Sequence, residues 1–114
     1  MLFCITANYT PAAIAAMRGG KTTSREEVVS KLVEEAGGRL VSCYGTIQEG
    51  PGALIILEIE DEVEISLAGI VETVSGTGAL RDIRIQPLLT TAEVTESREK
   101  AGELHGHYTA PGQK

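Results

Sequence analysis

Aromatic residues are scarce in this 114-residue sequence, which has no Trp, one Phe and three Tyr. Cysteine is rare too, since Cys4 and Cys43 are the only two. Two thiols among apolar residues are typical of buried, reduced side chains, not of a disulfide framework. No apolar run approaches the roughly 20 residues that span a bilayer. The start, MetLeuPheCysIle, lacks the basic region of a signal peptide, so we expect a cytoplasmic protein.

Basic residues are also few. Ten Lys and Arg stand against sixteen Asp and Glu, which gives a net charge of −6. The second half carries most of the imbalance, because residues 58–114 hold five basic and eleven acidic residues. Nucleic acids and anionic membranes are bound through clustered Lys and Arg, and this chain has no basic stripe. We therefore expect no nucleic-acid partner and no membrane partner.

What the chain does have is a strand that is apolar on both faces, residues 53–59, AlaLeuIleIleLeuGluIle. Successive side chains of a strand point to opposite faces, so Leu54 and Ile56 lie opposite the other apolar residues of the segment. One small domain offers one layer of helices, which covers one face only. We expect the other face to meet a second copy of the chain, with Leu54 and Ile56 in the oligomer interface.

Hydrophobic periodicity and turn signals predict the order strand, helix, strand, strand, helix, strand, followed by a short C-terminal helix. Capping-box patterns begin the first main helix at Ser24 and the C-terminal helix at Thr90. Asp61 is placed to cap the helix between them. Thr10-Pro11 opens a further short helical turn after the first strand.

The C-terminal helix is expected to fade near Lys100. This divides the chain into one domain, residues 1–100, and a polar, flexible tail, residues 101–114. His105 and His107 lie in that tail, and two ligands on a flexible segment make a weak metal site. No metal site is predicted.

The predicted order defines an α+β, ferredoxin-like βαββαβ sandwich with a four-stranded antiparallel sheet. Right-handed crossovers place the first and third strands at the centre of the sheet. These are the two strands whose sequences are apolar on both faces. Cys4 then lies on a central strand and Cys43 on an edge strand that is not adjacent to it, which argues against a disulfide between them.

Three motifs resemble the GYD-domain family. They are AsnTyrThr at 8–10, SerArgGluGluValVal at 24–29 before a helix ending in GluAlaGlyGlyArgLeu, and SerGlyThrGlyAlaLeuArg at 75–81. The resemblance covers roughly residues 2–100. It implies a small bacterial ferredoxin-like protein, similar to the dimeric α/β-barrel superfamily, in a family mostly without assigned function. The hairpin at 49–52, GluGlyProGly, keeps a Gly but lacks the namesake Tyr and Asp, so no catalytic role is carried over.

Other patterns that suggest chemistry are incomplete. Gly20-Lys21-Thr22 resembles the end of a phosphate-binding loop, but Ala15 stands where that loop needs Gly. Ser75-Gly76-Thr77-Gly78 follows a helix, whereas an anion cradle precedes one, so it is interpreted as a helix stop. Five carboxylates between residues 58 and 64 lack the spacing of a calcium loop and are expected to stay solvated at a helix start. No cofactor is predicted.

The candidate ligand-binding residues are Asn8, Tyr9, Tyr44 and Arg81, expected on or beside the sheet face away from the helices. Asn8 and Tyr9 end the first strand, and Arg81 begins the last strand, where it could hold an anionic group. The alternative is that these side chains only satisfy their hydrogen bonds at an edge or an interface.

Two functions stay open. The first is a small oligomeric module, with itself as partner, that binds a small anionic or aromatic molecule or acts in regulation or assembly. The second is a small enzyme of the dimeric α/β-barrel kind, monooxygenase-like without a cofactor or haem-related, with its pocket between sheet and helices. The sequence does not decide whether the protein is an enzyme.

Overall fold

The computed structural model describes residues 1–19 and 24–113, and within them the predicted order of elements is confirmed. The chain forms an α+β, ferredoxin-like sandwich with one additional helix after the first strand and one at the C-terminal end. Gly20, Lys21 and Thr22, the loop-like motif of the sequence, lie outside the described residues. The elements are β1 (Leu2–Tyr9), α1 (Pro11–Gly19), α2 (Arg25–Glu35), β2 (Gly38–Thr46), β3 (Gly52–Ile59), α3 (Val63–Ser75), β4 (Leu80–Leu88), α4 (Thr91–Leu104) and a 3-10 turn (His105–His107).

The four strands form one antiparallel sheet in the order β2-β3-β1-β4, with the two-faced apolar strands β3 and β1 at its centre, as predicted. The register of β1 with β3 runs without interruption from Leu2↔Glu58 to Asn8↔Gly52. The edge strands each depart from regular pairing once. The pairing of β4 with β1 shifts register between Thr6 and Asn8 of β1, and Asp82 of β4 takes a φ of 55° at this irregularity.

Helices α2 and α3 cover one face of the sheet, and the hydrophobic core lies between these two layers. The odd-numbered residues of β1 and β3 face the helices, which settles the alternation that the sequence left open. The apolar face of the sheet therefore packs against the apolar faces of the two helices. Burial of this surface is the main favourable term of folding. The core residues are Phe3, Ile5, Val33, Leu57, Ile59 and Ile70.

The opposite face, which we call the open face, carries the even-numbered residues of β1 and β3. Leu54 and Ile56 are half-buried at its centre, beside Cys4 of β1. Tyr44 of β2 pairs with Leu54 and keeps 60% of its surface exposed. The open face is thus apolar at its centre and polar towards its edges.

Two helix boundaries differ from the prediction. The N-cap of α3 is Glu62, not Asp61, and its side chain makes no capping hydrogen bond. Glu62 has a φ of 48°, so the chain turns through a left-handed residue before the helix begins. The last helix does not fade near Lys100 but continues to Leu104, because the residues that follow are compatible with a helix.

Both predicted N-caps begin their helices, and at α4 the capping box is complete. The Ser24 Oγ accepts a hydrogen bond from the Glu27 amide at 3.4 Å. At α4 the Thr90 Oγ1 accepts from the Glu93 amide at 3.1 Å, and the Glu93 carboxylate accepts from the Thr90 amide at 2.9 Å. The backbone and side-chain hydrogen bonds from Thr90 lower the pKa of Glu93. No helix in the described ranges combines the length and the apolar character needed to cross a membrane.

Candidate functional site

A cavity of about 300 Å³, which we call the helix-side cavity, lies between the sheet and helices α2 and α3. Its floor is formed by residues of β1 and β3, and its walls by the inward faces of the two helices. Nearly all of this surface is apolar. The apolar lining residues are Ile5, Ala7, Val28, Val29, Leu32, Val33, Ala53, Ile55, Ile70, Val71, Val74, Ala79, Leu80 and Ile83.

The helix-side cavity exists because small residues lie side by side across the sheet. Gly45 pairs with Ala53, and Ala53 pairs with Ala7, so three neighbouring strands contribute one small residue each to the helix-facing row. The next row holds Ile55 and Ile5, which fill the space beneath the helices. The cavity thus begins where the side chains of the sheet floor become small.

The polar lining of the helix-side cavity comes from four residues near the end of the sheet where β1 stops. They are Tyr9, Arg25, Thr73 and Thr77. The two Thr hydroxyls donate to carbonyl oxygens of the preceding turn, Thr73 to Gly69 and Thr77 to Val74, each at 2.7 Å. The Tyr9 hydroxyl and the Arg25 guanidinium remain as the groups that can bind a polar end of a ligand.

Cys43 lies on the helix-facing side of β2, near the start of α2. Burial raises the pKa of its thiol, the carboxylate of Glu26 raises it further, and Arg25 acts in the opposite direction. A thiol with a raised pKa is neutral at neutral pH and is a poor nucleophile. Cys4 lies on the open face of a strand that is not adjacent to β2, and both thiols are free.

A second cavity of about 260 Å³, which we call the open-face pocket, lies on the other side of the sheet. Polar and apolar atoms share its surface about equally, and all four strands and the β2–β3 turn contribute to it. Its lining residues are Thr6, Ala7, Asn8, Thr46, Gln48, Glu49, Leu54, Asp82 and Arg84. Within residues 1–19 and 24–113, no group of three or more His, Cys, Asp or Glu side chains is arranged to hold a metal ion.

The four candidate residues of the sequence are divided between the two faces. Asn8 lines the open-face pocket and pairs with Arg81, the neighbour beside it on β4. Tyr9 lines the helix-side cavity, and Tyr44 lies exposed on the open face. Arg81 donates hydrogen bonds to the Asp82 carboxylate and, at 3.2 Å, to the Glu49 carbonyl oxygen.

Sequence reasoning did not single out Arg25 or Arg84, the arginines that line the two cavities. In the sequence, Arg25 belongs to the start of a helix, and no other pattern marks it as a ligand-binding residue. Arg84 follows the irregular register of β4, which strict alternation from the sequence does not reveal. The small residues Ala7 and Ala53 were visible in the sequence, but their alignment in one row required the strand register.

These features define a small α+β domain that has an apolar cavity on its helix side and a more polar pocket on its open face. The family model that describes the GYD domain matches residues 3–97, from β1 into α4. The chain therefore belongs to the GYD-domain family, which confirms the resemblance seen in the sequence. No curated protein and no solved structure matches the chain.

Proposed function

We propose that this GYD-domain protein binds a small, largely apolar molecule in the helix-side cavity. The observation that carries the proposal is an apolar cavity of about 300 Å³ beside the hydrophobic core. Protein interiors are normally close-packed. Side chains that line an unfilled space lose packing contacts on that side, which costs stability. The cavity is open on one side, and a ligand of matching shape recovers the lost contacts.

The chemistry of the lining supports a ligand with an apolar body and one acidic or hydroxyl end. The apolar residues cover the body, and cavities of this size lie at the lower end of the range that holds small ligands. Tyr9 and Arg25 stand at the polar end, where a guanidinium favours a carboxylate. Short aliphatic and aromatic carboxylic acids are therefore the ligand class that we propose.

Isothermal titration with octanoate and benzoate tests this proposal. We expect saturable binding to the wild-type chain and a loss of binding in Ala53→Ile, because the larger side chain occupies the cavity. Ala68→Ile is the matched control, since Ala68 is an exposed residue of α3 outside the lining. Equal binding by wild type and Ala53→Ile, or no binding of either acid at millimolar concentration, would contradict the proposal.

Arg25→Gln tests the polar end of the same cavity. This variant is expected to weaken octanoate binding by roughly tenfold or more, since a charge-assisted hydrogen bond is lost. The binding of 1-octanol, which has no carboxylate, is expected to change little. Equal weakening of both compounds would show that Arg25 does not recognise the acid.

We also propose that a second copy of the chain covers the apolar centre of the open face, and that the open-face pocket stays accessible at the edge of this contact, where Leu54 lines it. Half-buried Leu54 and Ile56 leave apolar surface at its centre, and a sheet that is apolar on both faces needs a second protein layer. Light scattering is expected to give a dimer or larger oligomer, with Ile56→Glu shifted to monomer. Ile47→Glu is the matched control, because Ile47 is 92% exposed in the turn. A monomeric wild-type chain at micromolar concentration contradicts this proposal.

The second candidate function is a dimeric α/β-barrel enzyme that uses the same cavity. It is favoured by the position of the cavity between sheet and helices. Among the described lining residues, Tyr9 alone is of a type that ligates haem iron, so the form without a cofactor is better supported. A visible spectrum with added haem tests this: no saturable Soret band is expected, and one would overturn the ranking.

We place the protein in the cytoplasm, where free thiols stay reduced.

A further inference from the structure

The open-face pocket collects polar side chains that have unused hydrogen-bonding capacity. Thr6 and Asn8 come from β1, Thr46 and Gln48 from the end of β2 and the turn after it, and Arg84 from β4. In the described part of the chain, none of these five side chains has a hydrogen-bond partner, although each stands at the rim or wall of one cavity of about 260 Å³. Converging polar groups of this kind fix the orientation of a bound small molecule.

Gly52 explains how two of these groups converge. It pairs with Asn8 on one side and with Thr46 on the other. A methyl group placed on Gly52 would lie 2.6 Å from the Thr46 Oγ1 and 2.7 Å from the Asn8 Oδ1. Both oxygens therefore stand over the glycine from opposite sides, at a point where the sheet has no side chain of its own.

The walls of the pocket are held in unusual backbone conformations. Glu49 and Asp82 line it from opposite segments, and both are non-glycine residues with positive φ, 60° and 55°. Arg81 connects them, since its guanidinium donates to the Asp82 carboxylate and to the Glu49 carbonyl oxygen. Conformations of this kind persist where the surroundings hold them, and they concentrate at binding sites.

The charges of the pocket indicate what it binds. Arg81 neutralises Asp82, whereas Arg84 forms no ion pair with the described residues. We propose that the open-face pocket binds a small carboxylate that also carries hydroxyl or ammonium groups, with Arg84 holding the carboxylate. The amides and hydroxyls of Asn8 and Thr46 bind the remaining polar groups, and Glu49 accepts from a hydroxyl or an ammonium. This site is separate from the helix-side cavity and takes a different class of ligand.

Titration of the full chain with L-malate and with L-serine, followed by amide chemical shifts, tests this site. We expect saturable binding of at least one of them and weaker binding of propionate, which has the carboxylate alone. Arg84→Met is expected to weaken binding roughly ten- to hundredfold. Arg98→Met, which removes an exposed arginine of α4, is the matched control and is expected to have no effect.

The outcomes separate clearly. Malate binding alone identifies a hydroxy acid and serine binding alone an amino acid, and both support the site. Absence of saturable binding of both compounds at millimolar concentration overturns it, as does unchanged affinity in Arg84→Met with an intact circular dichroism spectrum. Equal losses in Arg84→Met and Arg98→Met would mean non-specific attraction. Ala53→Ile, which blocks the helix-side cavity, is expected to leave this binding intact, so the two sites can fail independently.

Discussion

Replacement of Ala53 by Ile tests whether the helix-side cavity has room for a larger side chain. Ala53 lies in the helix-facing row between Gly45 and Ala7 and lines the cavity. Ile adds three carbons, and at about 0.8 kcal/mol for each buried methylene the gain is at most ~2.4 kcal/mol. A β-branched side chain also suits a strand. If the space were already filled, the same change would overpack the core and cost about 1–3 kcal/mol. The sign of the change in stability therefore reports whether the space beside Ala53 is empty.

Urea unfolding, followed by circular dichroism, measures this sign. Ala53→Ile is expected to raise the free energy of unfolding by about 1–2 kcal/mol, because part of the gain is lost in ordering the side chain. The control Ala68→Ile is expected to lower it by less than about 0.7 kcal/mol, since Ile has a lower helix propensity than Ala. Destabilisation by Ala53→Ile of more than about 1 kcal/mol, with the control near neutral, would refute the reasoning.

Three further predictions concern other parts of the molecule. Gly52→Ala is expected to destabilise the fold by about 1–3 kcal/mol, because the new methyl group has no room. Gly69→Ala is the control: nothing lies within 4 Å of its new methyl group, so this variant is expected to raise the urea midpoint of unfolding. Iodoacetamide is expected to modify Cys43 faster in Glu26→Gln, because the carboxylate raises the thiol pKa; an unchanged rate contradicts this. The folded-state pKa of Glu93 is lowered, so its support of α4 is present above the unfolded-state pKa and lost as pH falls through the folded-state value. The helix content of the chain, followed by circular dichroism, is expected to fall in that acid range. A helix content that does not change with pH there would contradict the assignment.

The topology was predictable because hydrophobic periodicity carries it. Residues 2–8 and 53–59 are apolar on both faces, and only the two central strands of this sheet need that property. The N-cap at Ser24 and the capping box at Thr90 likewise act within a few residues and could be recognised locally. The boundary at Glu62 could not, because a left-handed residue before a helix reflects the path of the whole connection.

The sites were less accessible to sequence reasoning because they depend on strand register. Gly45, Ala53 and Ala7 are far apart in sequence and form one row only after the strands pair. The irregular pairing of β4 also places Arg81 and Arg84 opposite Asn8 and Thr6 on the same face, although their odd spacing predicts opposite faces. Tyr9 lines the helix-side cavity, whereas the sequence predicted it on or beside the face away from the helices.

Methyl-selective NMR of the ten isoleucines, titrated with octanoate, tests the central claim most directly. Ile5, Ile55, Ile70 and Ile83 line the helix-side cavity, whereas Ile56 follows Ile55 on the other face of the same strand. We predict saturable shifts of the four lining methyl groups and an unchanged Ile56 signal. Shifts at Ile56 equal to those at Ile55, or no saturable shift of the lining methyl groups at millimolar octanoate, would contradict the account.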